Sequence, residues 1–223
     1  MQYLISILYS AVLIVSAYLY LERRYALSEV GTRKEIIVKH RLFAILTMII
    51  FVIFCGIALF CLARSEAAIL ILTLKCTTIF WGCYLLAKID YHEKLIPNEI
   101  IIILIGIRGF FLVCETVTNL EYWTTVLIHP LLGAFLGFLI MMVAMFVSRN
   151  GVGMGDVKLF FVIGAYVGST GIIPTMFYTF FVSAVVGIIL LITKKAGLKD
   201  SVPMAPFAFC GIAIECVLLM IGG

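Results

Sequence analysis

Runs of some twenty apolar residues, broken by short polar segments, fill this chain from end to end. About 20 such residues match a hydrocarbon core of about 30 Å. Inside lipid every backbone N–H and C=O must be satisfied within the protein, so runs of this kind fold as helices. Composition agrees: 64% of the 223 residues are apolar and 13% charged, against about 45–50% and about 25% in soluble domains. The expectation is an all-α, polytopic membrane helix bundle. It forms a single integral membrane domain over 1–223, with N-terminal helices in 1–66 and a core in 67–222.

Reading along the chain gives about eight transmembrane helices. The first five are 3–21, 42–63, 67–88, about 99–116 and 124–147. Pro97 and Asn98 suit the start of the fourth, Pro in the first turn and Asn as its cap. Glu115 to Tyr122 reads as a loop. The stretch 157–193 would reach about 55 Å as one helix, at about 1.5 Å per residue. Gly168-Ser169-Thr170-Gly171 and Pro174 offer a turn that divides it into two shorter spans. A last helix runs to about 220. Met1 to Tyr20 has no basic residue before its apolar stretch and is followed by Glu22, Arg23 and Arg24, the layout of a retained span rather than a secretory signal.

Eight spans fix the sides. If 22–41 is inside, so are 89–98, 148–156 and 194–201. Those segments with their flanks hold Arg23, Arg24, Arg33, Lys34, Lys39, Arg41, Lys88, Lys94, Arg149, Lys158, Lys194, Lys195 and Lys199, and the other side keeps Arg64. Short inside loops collect Lys and Arg, so these loops face the cytoplasm and both termini lie outside. Lys75 and Arg108 fall within spans, where they either snorkel or pair in the bundle. His129, beside Pro130, falls on the outer half.

Some chemistries lack their residues. The seven cysteines lie in or at the ends of apolar runs with no Cys-x-x-Cys pair, so zinc and redox-pair readings lack spacing; no metal or cofactor is expected. No basic tract with interleaved aromatics speaks for nucleic acid.

Two polar stretches carry acids beside apolar runs: Asp90-Tyr91-His92-Glu93-Lys94-Leu95-Ile96-Pro97-Asn98 and Gly153-Met154-Gly155-Asp156-Val157-Lys158. The only other aspartate is Asp200, in a solvated Lys199-Asp200-Ser201 setting. Two carboxylates flanking a water can hydrolyse an amide, one ionised to take a proton from the water, the other protonated to donate to the scissile carbonyl. Like charges at close range cannot both ionise, so such a pair shares one proton. Residue types and spacing alone leave two readings open: a dyad, or two helix-end carboxylates in salt bridges with Lys88 or Lys158. Lys158, two residues from Asp156 and on another helix face, is expected to anchor its helix at headgroups. A transporter binding a cation or relaying protons at Asp90 and Asp156 is the alternative from another class.

Asp-x-x-x-x-x-Ile-Pro-Asn at 90–98 and Gly-x-Gly-Asp-Val-Lys at 153–158 resemble the signatures of the type IV prepilin peptidase family, the GxGD-type membrane aspartic proteases. Val202-Pro203-Met204-Ala205-Pro206-Phe207 resembles that family's third, proline-bracketed segment, with Met204 and Ala205 where Phe and Gly are usual. The resemblance spans roughly 67–222, which it marks as a peptidase core. It implies that Asp90 and Asp156 are the catalytic pair of an aspartic endopeptidase in the cytoplasmic membrane. Its partners would be the bilayer and prepilin-like precursors, which lose a basic leader at the cytoplasmic face. Gly153 and Gly155, which let backbone approach backbone, and Pro203 and Pro206, which hold a non-helical segment, are the expected substrate-binding residues. The loop 22–41 carries no cysteine, whereas longer family members have paired Cys-x-x-Cys motifs there and methylate the product. The resemblance therefore implies the short form lacking the methyltransferase domain.

Overall fold

A computed structural model of the protein describes residues 2–26, 67–148, 152–193 and 202–222. The described residues form six α-helices and no strand: α1 (Gln2–Ala26), α2 (Ala67–Glu93), α3 (Asn98–Thr118), α4 (Trp123–Val147), α5 (Met154–Ile192) and α6 (Ala205–Gly222). Four stretches are long and apolar enough to cross a membrane: Leu70–Glu93, Asn98–Thr118, Leu120–Val147 and Met154–Ile192. The protein is a multi-pass membrane helix protein. The expected count of eight is high for the described residues. One expected span, 42–63, lies outside them, as do most of the loop 22–41, all of 194–201 and the residues 149–151. The pair expected over 157–193 is present as two helical halves joined at a kink at Gly168 and numbered together as α5.

Contacts divide the chain into two compact units, Met1–Leu74 with Met220–Gly223, and Lys75–Leu219. The described part of the first is α1, the opening of α2 and the end of α6. The second holds every residue of the candidate site.

Most of α2 is buried all round: Thr77, Thr78, Ile79, Phe80, Trp81, Cys83, Leu86, Ala87, Ile89 and Asp90 are all covered. A helix apolar on every face is one enclosed by others. α6 runs antiparallel beside it. The Cys216 thiol reaches the Cys76 carbonyl at 3.7 Å. The Phe209 ring packs against Phe80 and Tyr84, with centroids 5.0 and 5.8 Å away. Phe80 and Tyr84 are four residues apart and so share a face. This register carries the first residues of α6 to the far end of α2, where Asp90 sits.

α2 stops at Lys94, whose φ of 52° is left-handed. Its N–H closes a last turn on the Asp90 carbonyl at 2.9 Å, the usual way a helix satisfies its final carbonyls. Leu95 to Pro97 then lead into α3. Pro97 holds the N-cap position without a side-chain cap, and Asn98 is the first helical residue. α3 also runs past Glu115 to Thr118, so Glu115 is helical, where a loop was expected. It had to be: its carboxylate pairs with Lys75 and with Arg108 Nη1 at 2.9 Å, so each of the three charges has an opposite partner inside the bundle.

α4 and α5 touch backbone to backbone. A Cβ on Gly164 would stand 2.1 Å from the Gly133 carbonyl oxygen, and one on Gly137 2.4 Å from that of Phe160. Gly133 on α4 faces Gly164 and Gly168 on α5, and Gly137, one turn on, faces the Phe160 backbone. In lipid, where apolar burial gives helices little reason to associate, such close approach supplies the dispersion contacts that do.

α5 bends at Gly168, where φ is 76° and ψ −176°, a region open to glycine and to essentially no other residue. The turn expected at 168–171 is this kink. Its surroundings are polar. Arg108 Nε donates to the Ala165 carbonyl at 2.7 Å, at the end of the first half of α5, where unpaired carbonyls favour a cation. The Tyr166 hydroxyl donates to the Leu104 carbonyl at 2.9 Å, and His129 Nδ1 meets Ser169 Oγ at 2.8 Å. Lys75 and Arg108 thus pair within the bundle. Beyond the kink, Gly211 of α6 lies over Thr175 and Thr179 of α5, leaving no room for a side chain.

Candidate active site

Three chain segments meet at one end of the second unit: the end of α2, the start of α5 and the start of α6. Asp90 is buried on the last full turn of α2, 6% exposed. Its Oδ2 accepts the Ala205 backbone N–H at 3.0 Å. Asp156 is half-buried in the first turn of α5. Its Oδ2 accepts the Gly153 N–H at 3.2 Å, and its own N–H donates to the Gly153 carbonyl at 3.1 Å. This is half of a capping box: the acid at N3 serves the N-cap amide, while Gly153 has no side chain to answer with. Asp90 and Asp156 are close enough for the charge of one to act on the other.

The two motifs also touch directly. A Cβ on Gly155 would stand 3.1 Å from Cβ of Ile96, so the glycine lets the segment before α3 lie against the first turn of α5. Lys158 Nζ donates to Asn98 Oδ1 at 2.9 Å. This corrects two expectations. Asn98 spends its side-chain oxygen on Lys158 instead of capping α3, and Lys158 has a partner inside the protein instead of reaching for headgroups. Both follow from the meeting of the motifs, which spacing along one helix cannot reveal.

Pro203 precedes α6 and Pro206 lies in its first turn, a position that tolerates the missing N–H. Gly153 is exposed just before α5. The rim of the site carries exposed apolar side chains: Tyr91, Leu95, Met154 and Val202. Asp200 lies outside the described residues. Among the described residues no group of three His, Cys, Asp or Glu side chains is placed to hold a metal ion.

Sequence reasoning passed over three features. The Ala205 amide has no side-chain signature at all. The glycines of the α4–α5 contact were legible as Gly-x-x-x-Gly at 133–137 and 164–168. Glu215, buried on α6 with Oε1 lying over Gly171, carries the signal that singled out Lys75 and Arg108: one charge within an apolar run.

The model of the type IV leader peptidase family matches residues 76–192, a segment that holds both aspartates. A prepilin leader peptidase/N-methyltransferase of Bacillus subtilis (strain 168) is 32% identical over 127 residues, 57% of this chain and 48% of that protein. A prepilin leader peptidase/N-methyltransferase of Xanthomonas campestris pv. campestris is 29% identical over 138 residues, 58% of this chain and 45% of its own. The chain spans about half the length of the curated relatives it matches. No solved structure matches it.

Proposed function

Because the chain belongs to the type IV leader peptidase family, we propose that it is a membrane aspartic endopeptidase removing the leader from prepilin-like precursors. Asp90 and Asp156 are its catalytic pair, and 67–222 is its peptidase core. The observation that carries this reading is the convergence of the two aspartates, from separate motifs, within electrostatic reach of each other. The Ile96–Gly155 and Lys158–Asn98 contacts support it by tying the motifs together.

The chemistry is general acid–base hydrolysis. The ionised carboxylate takes a proton from a water as that water attacks the scissile carbonyl, and the protonated carboxyl donates to the carbonyl oxygen. Collapse of the tetrahedral intermediate returns a proton to the leaving amine. Gly153 leaves the backbone before Asp156 open to an extended peptide, Gly155 contributes by letting Ile96 close against that turn, and Pro203 and Pro206 are the substrate-binding residues at the start of α6. The Lys and Arg excess of the loops on the same side argues for a cytoplasmic site, where a leader still attached to its hydrophobic helix is accessible.

The test incubates the purified chain in detergent with a prepilin precursor and follows the shortened product by mass. Cleavage just before the precursor's hydrophobic segment is expected. An intact precursor, under conditions where a known prepilin peptidase cuts it, overturns the reading.

A further inference from the structure

The start of α6 turns two backbone donors toward Asp90, the N–H groups of Met204 and Ala205. The N–H groups of Phe207 and Ala208 both go to the Met204 carbonyl, each at 3.1 Å. Pro206 has none to give. The Ala205 N–H is left, and it lies on Asp90 Oδ2 at 3.0 Å. Both ends of that bond are buried, with Asp90 6% and Ala205 1% exposed. A charge-assisted bond shielded from water is stronger and more directional than one at the surface. The positive end of the α6 dipole adds to it. Asp156 takes its corresponding amide from Gly153 at a longer 3.2 Å and in an exposed setting.

We propose that the Ala205 backbone N–H is a positioning group for peptide hydrolysis, holding Asp90 in one orientation and charged. On that assignment Asp90 is the member that takes the proton from water, and Asp156 is the one that donates a proton to the carbonyl oxygen. The proposal rests on the aspartic-peptidase reading and adds the division of roles. The charged and titratable side chains around Asp90 are Lys88, Tyr91, His92, Glu93 and Lys94 on its own helix and following turn, Glu99 on α3, and Asp156 and Lys158 on α5. Lys158 is held by Asn98. The first turn of α6, Ala205 to Ala208, brings no ionisable side chain, so its influence on Asp90 comes through the backbone.

Two substitutions separate the amide from the side chain. Ala205→Pro removes the N–H at a first-turn position that helices accept for proline. Ala205→Gly keeps the N–H and removes a methyl group. In the precursor assay across pH, Ala205→Pro is expected to lower kcat about 10- to 100-fold, the equivalent of one hydrogen bond to a charged group, with KM within about twofold. Its low-pH limb moves to higher pH. Ala205→Gly keeps the wild-type pH profile. A wild-type chain that cuts, with an Ala205→Pro variant of equal kcat and pH profile, overturns this inference alone. A wild-type chain that cuts nothing overturns the reading beneath it.

A second measurement does not depend on how well the proline variant folds. In protein labelled with nitrogen-15 alanine, the Ala205 amide is the resonance missing from Ala205→Gly. It is expected to shift with pH along the low-pH limb of activity and to stop responding in Asp90→Asn. An Ala205 amide insensitive to both pH and Asp90→Asn overturns the proposal.

Discussion

Lys158 Nζ donates to Asn98 Oδ1 at 2.9 Å, joining the second residue after one motif's glycine-aspartate core to the last residue of the other. The bond is on the exposed side of the site, so its strength is modest, about 0.5–1 kcal/mol. Its value lies in what it aligns. Lys158→Met and Asn98→Ala are each expected to lower cleavage severalfold, and the double variant to be no worse than the poorer single. A double-mutant cycle on kcat/KM checks this, since additive effects would mean the two side chains act independently.

The glycine contacts between α4 and α5 give a steric prediction. A methyl at Gly164 meets the Gly133 carbonyl oxygen at 2.1 Å, and backbone on both sides leaves nothing flexible to yield. Gly164→Ala should lower stability in detergent by about 1–3 kcal/mol. Gly106→Ala, where a Cβ meets nothing within 4 Å, should be neutral or stabilising by up to about 1 kcal/mol. Thermal unfolding of the two variants side by side decides it, and equal midpoints would contradict the close approach.

These two cases show what the sequence could and could not convey. Apolar runs of membrane length announced a helical bundle, and Gly168 announced the break in α5, because length and glycine chemistry are local properties. Asp90 and Asp156 could be named from their motifs, but their convergence is a tertiary fact that spacing left open. Glu115 was read as the start of a loop, since an acid in a span needs partners that the local sequence does not show. Those partners, Lys75 and Arg108, come from a separate helix and from two turns back on its own. The Ala205 amide was illegible in principle, since every residue but proline carries one.

Arg108 gives a third prediction. It serves both the Ala165 carbonyl beside the α5 kink and the Glu115 carboxylate. Arg108→Met leaves the first without this donor and the second with Lys75 alone, so a loss of about 1–3 kcal/mol is expected. Arg108→Met combined with Glu115→Gln should lose less than the sum of the two singles, because Arg108→Met removes one of the two cations that Glu115→Gln leaves without its acid. Unfolding midpoints for the three variants test it. A strictly additive loss would place the two residues in separate environments.

The most direct test of the paired aspartates compares Asp90→Asn, Asp156→Asn and Asp200→Asn in one cleavage assay, run across pH and matched for folded protein. The account predicts a bell-shaped profile for the wild type, since activity needs one carboxyl protonated and one ionised. It predicts loss of cleavage by at least about a thousandfold in each of the first two variants, the scale of removing a member of a catalytic unit, and wild-type cleavage in Asp200→Asn. Cleavage near the wild-type rate by either Asp90→Asn or Asp156→Asn would contradict it.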